Sequence, residues 1–207
     1  MTRSRKWMLI AVIALAAVTA MVLAVSKFAL TVYRIPSVSM YPAIEQGDRI
    51  LANDFSYGIP IPFFGGKLMA SRVRRGDIVV FPRPDRPRED YIKRVIALGG
   101  EMVEMRGGRV WVDGQRLEEP YFYRDPWALE LQAGRGGEPV RLPPVKVPAG
   151  HLFVLGDNRF NSVDSRHFGF IAEESVKSQG WLVYFSREPK KGILEGFRFH
   201  RLAKRLR

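Results

Sequence analysis

The side chains in this 207-residue chain that could do covalent chemistry lie in three short segments. In the first, residues 34–42, Ser37 and Ser39 stand two positions apart between Pro36 and Pro42. Because the prolines stiffen the backbone on either side, one hydroxyl could attack a carbonyl while the other hydroxyl, or an amide, faces the developing oxyanion. On its own, such a serine pair is more typical of a hydroxyl-capped turn in a linker, so the hypothesis of a nucleophile needs a base elsewhere in the chain.

A lysine in an apolar run is one candidate for that base. Lys93 lies in a segment whose period-two alternation puts it on the same strand face as Tyr91 and Val95. Burial would remove water from its ammonium, lower its pKa and leave an amine that can accept a proton. Taken alone, Lys93 also fits a charge on an edge strand or a snorkelling side chain.

The third segment, residues 156–169, is polar and follows an apolar strand-like run. Asp164 and Arg166 could form an ion pair that holds this loop against the active centre, and Ser162 could accept a hydrogen bond from the lysine. His167, beside Asp164, is the one histidine that could serve a catalytic triad. By itself the loop is more typical of a structural or calcium-binding turn, although it lacks the carboxylate spacing of an EF-hand.

Together these segments resemble the bacterial type I signal peptidases, a family of serine proteases with a lysine base. The matching motifs occur in the family's order and are PSVSM at 36–40, GDIVVF at 76–81, YIKRVIALGGE at 91–101 and GDNRFNSVDSRHFGF at 156–170. The resemblance extends from about Tyr33 to Phe185, and a lobe at 115–150 is its least matched part. Ala43 and Phe160 stand where the family commonly has threonine and aspartate, but neither position supplies a catalytic group.

The resemblance implies a role for each polar residue. Ser39 would be the nucleophile and Lys93 the general base, while the Ser37 hydroxyl and the Ser39 amide would form the oxyanion hole. Ser162 would orient the lysine, and Asp164 with Arg166 would be the supporting pair. The family's pocket-lining positions correspond to Ile35, Pro36, Ile44, Val80, Tyr91 and Ile92.

The resemblance also implies the substrate, a secreted preprotein whose signal peptide carries small residues at the first and third positions before the cut, as in Ala-x-Ala. In shallow pockets lined by apolar side chains, a bulky residue would lower the rate of cleavage more than a well-fitting residue would raise it. No cofactor and no metal ion is implied, and we expect a monomer.

Residues 7–25 form an uncharged run of nineteen residues. At 1.5 Å rise per residue, this run is long enough to cross a hydrocarbon core about 30 Å thick. A cleavable signal peptide is the alternative, but its apolar region usually ends at about 7 to 15 residues. We therefore expect an uncleaved anchor at 7–25 behind a cytoplasmic basic segment at 1–6. The positive-inside rule places the catalytic domain on the extracytoplasmic (periplasmic) side of the cytoplasmic (inner) membrane.

The net charge of +12 is concentrated at the two ends of the chain. Residues 1–27 carry +4 and residues 190–207 carry +6, which leaves the body nearly neutral. This distribution is typical of flanks attracted to membrane lipid rather than of a groove that binds nucleic acid. The basic tail, with Phe199, Leu202 and Leu206 at helical spacing, would lie on lipid or form a solvated end.

The absence of cysteine excludes disulfides, thiolate metal sites and a cysteine nucleophile, and three scattered histidines argue against a histidine-rich metal centre.

The fold class expected for residues 28–189 is mainly β, with an antiparallel sheet or barrel-like catalytic domain behind the anchor. Prolines 82, 84 and 87 should confine their segment to a loop, and residues 115–150 should form an inserted lobe. The apolar segment at 58–64 would dip into the bilayer or pack as a buried hairpin. The predicted strands are Ile78–Phe81, Ile92–Leu98, Met102–Met105, Arg109–Val112, Leu152–Leu155 and Trp181–Phe185.

Two other functions remain compatible with parts of this pattern. A self-cleaving, repressor-type Ser/Lys protease shares the chemistry, but it would need a DNA-binding module or a soluble partner in place of the anchor. An anchored binding protein without activity, or an inactive relative, is the other alternative.

Overall fold

The computed structural model describes residues 30–60, 67–68, 71–123, 141–192 and 195–206, with residues 5, 7, 8, 11–16, 18 and 19 near the N-terminus. These N-terminal residues are helical. Within the described residues, no helix has the length and apolarity needed to cross a membrane. Nine of the nineteen residues of the span predicted at 7–25, and residues 61–64 of the apolar segment at 58–64, lie outside the described residues.

Strands dominate the described chain, as the sequence predicts. They are β1 (Leu30–Arg34), β2 (Asp48–Asn53), β3 (Ile59–Pro60), β4 (Lys67–Leu68), β5 (Ile78–Arg83), β6 (Arg86–Leu98), β7 (Met102–Arg106), β8 (Arg109–Val112), β9 (Gln115–Arg116), β10 (Leu142–Lys146), β11 (His151–Leu155), β12 (Ile171–Ala172), β13 (Ser178–Ser186) and β14 (Lys204–Arg205). The described residues from 30 onward also form short helical turns. One is α-helical, at Ser165–Phe168, and three are 3₁₀ turns, at Asp54–Tyr57, Glu173–Ser175 and Phe199–Arg201.

The strands of the described residues form one large and two small antiparallel sheets. The eight-stranded sheet has the order β1-β2-β13-β5-β6-β11-β12, and β14 pairs with β13 outside this path. A four-stranded sheet has the order β10-β7-β8-β9, and β3 pairs with β4 alone. The prediction of a mainly β, antiparallel fold is therefore confirmed.

Strand β6 positions the lysine because it contributes to each of the three hydrophobic clusters formed by the described residues. Val95 packs between β5 and β11, and Ile96 packs toward the four-stranded sheet. Ile92 packs against a third cluster that contains Ile35 and Ile44, on the side of the serine pair. Apolar residues on both faces are typical of a strand buried on both sides, and this burial fixes the residues between them.

The expected proline loop is wrong, because β5 and β6 continue through most of it. Pro82 is still paired with Asp90, and the register shifts only at Arg83. A proline has no amide hydrogen to donate to the neighbouring strand. Residues 84–89 are exposed, so water can donate to the backbone carbonyls there instead. Arg83 bonds to the Asp85 carboxylate at 2.7 Å and to the Tyr91 hydroxyl at 2.7 Å, which stabilises the hairpin end.

The predicted lobe at 115–150 is anchored to the four-stranded sheet at both ends. At its start β9 pairs with β8, and near its end β10 pairs with β7. Residues 124–140 lie outside the described residues.

Candidate active site

The segment that carries the two serines leaves β1 and turns sharply. Two backbone bonds of 2.9 Å tie Ile35 to the carbonyl of Asp48 and to the amide of Gly47. The Gln46 side chain donates to the Pro36 carbonyl at 2.9 Å. Beyond Ser39 the chain closes into a tight turn, so the serine is presented by a segment that is fixed on both sides.

The lysine predicted as base meets the predicted nucleophile directly. The Lys93 Nζ donates a hydrogen bond to the Ser39 Oγ at 2.8 Å. Lys93 is 3% exposed and Ser39 is 9% exposed. A distance of this size permits direct proton transfer between the two side chains.

Burial lowers the pKa of Lys93 from its ordinary value to about 8. The carboxylates of Asp164 and Asp157 oppose this shift, and the Arg166 guanidinium acts in the same direction as burial. Desolvation prevails because the ammonium is removed from water without a carboxylate in contact with it. A much larger fraction of this amine is therefore neutral at pH 7 than of an ordinary lysine.

Ser37 lies on the solvent side of the nucleophile. Its hydroxyl is 3.3 Å from the Ser39 hydroxyl, and the residue is exposed. It can therefore donate to a group that reaches Ser39 from the solvent.

The polar loop at 156–169 contains the expected ion pair. The Arg166 Nε and Nη2 each bond to one Asp164 oxygen at 2.8 Å, and Asp164 also accepts from the Gly156 amide at 3.0 Å. Burial alone would raise the pKa of Asp164, but the hydrogen bonds from Arg166 and Gly156 outweigh it and hold the pKa below its ordinary value. The ionised carboxylate thus fixes the loop.

His167 does not take part in a triad with Ser39. It is exposed, and its Nδ1 accepts from the Asp164 amide at 3.5 Å as part of the cap of the helical turn. The hydroxyl of Ser39 is bonded to the lysine instead.

Ser162 lies beside the nucleophile but does not bond to the lysine. A Cβ on Gly156 would stand 2.3 Å from the Ser162 Oγ and 2.5 Å from the Ser39 carbonyl oxygen, so only glycine lets these groups approach. The Ser162 hydroxyl is buried and makes no hydrogen bond of good geometry among the described residues, but it lies near enough to Asp164 to help lower the pKa of that carboxyl. Among the described residues the Lys93 amine bonds to the Ser39 hydroxyl and not to Ser162.

The sequence reasoning missed the neighbour of the lysine. Arg94 forms two bonds of 2.8 and 2.7 Å to the Asp157 carboxylate, and both side chains are almost fully buried. Its guanidinium also stacks on the Tyr121 ring, 3.9 Å from the centroid. The signal was an arginine inside an apolar strand, since a buried charge requires a buried partner.

A cleft of about 350 Å³ opens beside the serine and the lysine. Five of the six predicted pocket residues line it, namely Ile35, Pro36, Ile44, Tyr91 and Ile92. Val80 is the exception, because it is fully buried in β5, between its partners Ile92 and Ser178. Lining residues that the sequence reasoning missed are Tyr33, Arg34, Met40, Asp90, Asn161 and Val163.

Within the described part of the chain, no three His, Asp or Glu side chains are grouped to hold a metal ion.

Comparisons with known proteins identify relatives of this chain. A family model described as "Signal peptidase, peptidase S26" matches residues 4–185. A signal peptidase I from Pseudomonas fluorescens is 34% identical over 205 residues, covering 85% of this chain and 72% of the relative. One from Bacillus caldolyticus is 37% identical over 148 residues, covering 70% and 73%. A crystal structure of a signal peptidase I from Enterococcus faecalis, 34% identical, covers 53% of this chain and 97% of its own, with a TM-score of 0.42.

Proposed function

Since the chain belongs to the signal peptidase family, peptidase S26, we propose that it removes signal peptides from secreted preproteins, with Ser39 as nucleophile and Lys93 as general base. The observation that carries the assignment of the two residues is the 2.8 Å hydrogen bond between the buried amine and the hydroxyl. A neutral amine in this position can accept the hydroxyl proton, which a charged surface lysine cannot.

In the first half of the reaction, the neutral Lys93 takes the proton of Ser39 and the alkoxide attacks the peptide carbonyl. The Ser37 hydroxyl and the Ser39 amide donate to the oxyanion of the tetrahedral intermediate. Lys93 then returns the proton to the departing amine, and the signal peptide is left as an ester on Ser39.

In the second half, water replaces the amine. Lys93 takes a proton from the water, the hydroxide attacks the ester, and the serine leaves with the proton that Lys93 returns. Asp164 and Arg166 hold the loop at 156–169 in place through both halves, and Ser162 would orient the amine when the substrate is bound.

The cleft favours small side chains next to the scissile bond. Ile35, Ile44 and Ile92, three branched apolar side chains, line it together with Ser39 and Lys93. We expect small residues at the first and third positions before the cut, as in Ala-x-Ala, because a bulky side chain would clash with these walls.

The site also has a proposed place in the cell. Residues 7–25 would anchor the chain in the cytoplasmic membrane, and residues 28–189 would form the catalytic domain outside it. Since the apolar segment of a signal peptide is itself held by the bilayer, an anchor would confine enzyme and substrate to one surface. The proposed partners are preproteins and membrane lipid, with no nucleic acid, and the protein would act as a monomer.

The test is cleavage of a peptide that carries an Ala-x-Ala signal sequence by the purified protein. We expect Ser39→Ala and Lys93→Ala to be inactive. Ser71→Ala and Lys191→Ala, at exposed positions, are the matched controls and should retain activity. Cleavage that survives Ser39→Ala would exclude this serine as the nucleophile, and cleavage of the chain itself without cleavage of the peptide would favour a repressor-type protease.

A further inference from the structure

The C-terminal tail, residues 195–206, folds back onto the loop that follows the nucleophile. Its strand β14 pairs with β13, and the Arg198 amide bonds to the Ser186 carbonyl at 3.0 Å. The tail lies beyond residues 4–185, which match the family model. Its composition predicts an end that lies on lipid or is solvated. The structure instead places three of its basic side chains against residues 40–48, which we call the nucleophile loop.

Arg201 is the centre of this contact. Its guanidinium bonds to both oxygens of Asp48, at 3.1 and 2.6 Å, and to the Glu45 carboxylate at 2.6 Å. It also donates to the Ala43 carbonyl at 3.2 Å. The side chain is only 4% exposed, so one buried cation joins three points of the loop.

Two neighbours extend the contact along the loop. Arg198 donates to the Gln46 carbonyl at 2.5 Å and pairs with Glu45. Lys204 donates to the Pro42 carbonyl at 3.1 Å. Backbone carbonyls at 42, 43 and 46 therefore accept hydrogen bonds from cations of the tail.

The buried acid of the loop depends on this partner. Asp48 is fully buried, which alone would raise its pKa, but hydrogen bonds led by that of Arg201 hold the pKa below its ordinary value. The carboxylate thus stays ionised and requires a cation beside it. A buried carboxylate that loses its cation is an uncompensated charge, which strongly destabilises the packing around it.

Movement of the loop would reach the reacting atoms. The loop begins at Met40, directly after Ser39, and the Ile44 amide bonds to the Met40 carbonyl at 2.9 Å. Met40 and Ile44 line the cleft, and Leu206 of the tail packs against the hydrophobic cluster that contains both of them. The tail therefore packs against residues that line the cleft and directly follow the nucleophile.

We propose that Arg201 is a positioning residue for peptide cleavage: by holding Asp48, Glu45 and the Ala43 carbonyl, it fixes the nucleophile loop and so the hydroxyl of Ser39. Arg201 acts through the loop and touches neither the substrate nor the reacting atoms. This inference rests on the proposed function, because it is measured as peptide cleavage.

The test compares Arg201→Gln with Arg205→Gln. Both substitutions remove one positive charge from the same tail, but Arg205 is exposed. Because a small misplacement of reacting groups has a large effect on rate, we expect Arg201→Gln to lower kcat about tenfold to a hundredfold. Arg205→Gln should stay within about twofold of the wild type. Rates are measured per folded molecule, well below the unfolding temperature of each variant.

Arg201→Lys separates positioning from simple stabilisation. It keeps the charge, but a single ammonium cannot reproduce the planar fork that bridges Asp48, Glu45 and Ala43. We expect kcat between those of Arg201→Gln and the wild type, with an unfolding temperature closer to that of the wild type. If Arg201→Gln only lowers the unfolding temperature and its kcat per folded molecule stays within twofold of the wild type, the proposal is overturned.

If Arg201→Gln does not fold, the proposal is tested by comparing Lys204→Met with Arg205→Met. These neighbours lie on the same short strand, and only Lys204 contacts the nucleophile loop. We expect Lys204→Met to lower kcat about threefold or more and Arg205→Met to leave it unchanged. Equal kcat values for the two would overturn the proposal. Failure of the proposed function is recognised separately, by a wild type that does not cleave or by an active Ser39→Ala.

Discussion

At the scale of single residues, the buried amine of Lys93 predicts the pH dependence of the rate. Its pKa is lowered to about 8, by burial above all, and the charged groups facing it are Asp164, Asp157 and Arg166. Only the neutral amine accepts a proton, so kcat/KM should rise about tenfold per pH unit below pH 8 and level off above it. Initial rates from pH 5.5 to 9.5 test this. A plateau already reached at pH 6.5 would point to a different base.

The same burial predicts an unusual response of stability to substitution. Because the folded state lowers the pKa of Lys93, burial of the protonated amine destabilises the fold throughout the range below about pH 8. Lys93→Met preserves the length and removes this cost, so it should abolish cleavage without lowering the unfolding temperature at pH 7. Thermal unfolding of Lys93→Met and of the wild type at pH 7 tests this prediction, and Lys191→Met, at an exposed position, is the control. A fall of many degrees would mean that the lysine also stabilises the fold.

Ser37 tests the oxyanion hole without disturbing the fold. Its hydroxyl is exposed and 3.3 Å from that of Ser39. We expect Ser37→Ala to lower kcat about a hundredfold to a thousandfold, the usual effect of removing one oxyanion donor, and to leave the unfolding temperature unchanged. Single-turnover rates with the Ala-x-Ala peptide measure the effect. Full turnover would remove Ser37 from the mechanism.

At the scale of elements, the loop at 156–169 approaches the nucleophile so closely that Gly156 has no room for a side chain. Gly156→Ala would place a methyl group 2.5 Å from the Ser39 carbonyl oxygen. Because the clash is with backbone, the loop or the serine must shift, and we expect a loss of kcat of at least tenfold. Gly192→Ala, whose nearest neighbour would be 3.9 Å away, is the control. Equal activities of the two variants would contradict the close approach.

The strands were predictable where their apolar residues were continuous. The run at Arg109–Val112 agrees with β8, and Trp181–Phe185 lies inside β13. Val80 shows the limit of this reasoning. Its place in a matching motif put it in the pocket, but cross-strand partners on both sides bury it, and pairing partners cannot be deduced from one strand's sequence.

Much of the candidate site could also be predicted, because local motifs carry its polar residues. The pairing of Asp164 with Arg166 is such a local contact. The contact between Arg201 and Asp48 joins residues 153 positions apart, and the tail's composition indicates only charge. That arginine is buried because the chain returns along β13, and no local sequence pattern predicts this return.

At the scale of the whole molecule, buried carboxylates predict the stability in acid. Asp48 and Asp164 have lowered pKa values despite burial, because hydrogen bonds from arginines outweigh desolvation. Their stabilisation is complete above the ordinary carboxylate pKa and is lost as the pH falls through the lower value. Asp157, whose pKa burial raises, acts in the opposite direction. Since protonation of Asp48 and Asp164 leaves the largely buried Arg201 and Arg166 without their carboxylate partners, the free energy of unfolding should fall below about pH 5.

Urea unfolding from pH 7 to pH 3 measures this dependence. Asp48→Asn should weaken the loss in acid, because one of the groups that must be protonated is then absent. Glu118→Gln, at an exposed position, should leave the dependence unchanged. Parallel curves for Asp48→Asn and the wild type would show that Asp48 contributes nothing to it.

The near-complete enclosure of Lys93 gives the protein a distinctive behaviour toward amine-modifying reagents. An amine with a pKa of about 8 is intrinsically far more reactive at neutral pH than an ordinary lysine, yet only 3% of this residue is open to solvent. Bulky acylating reagents should therefore label the surface lysines first and leave catalysis intact. Formaldehyde with a mild hydride donor is small enough to enter, and a peptide seated in the cleft should delay inactivation by it.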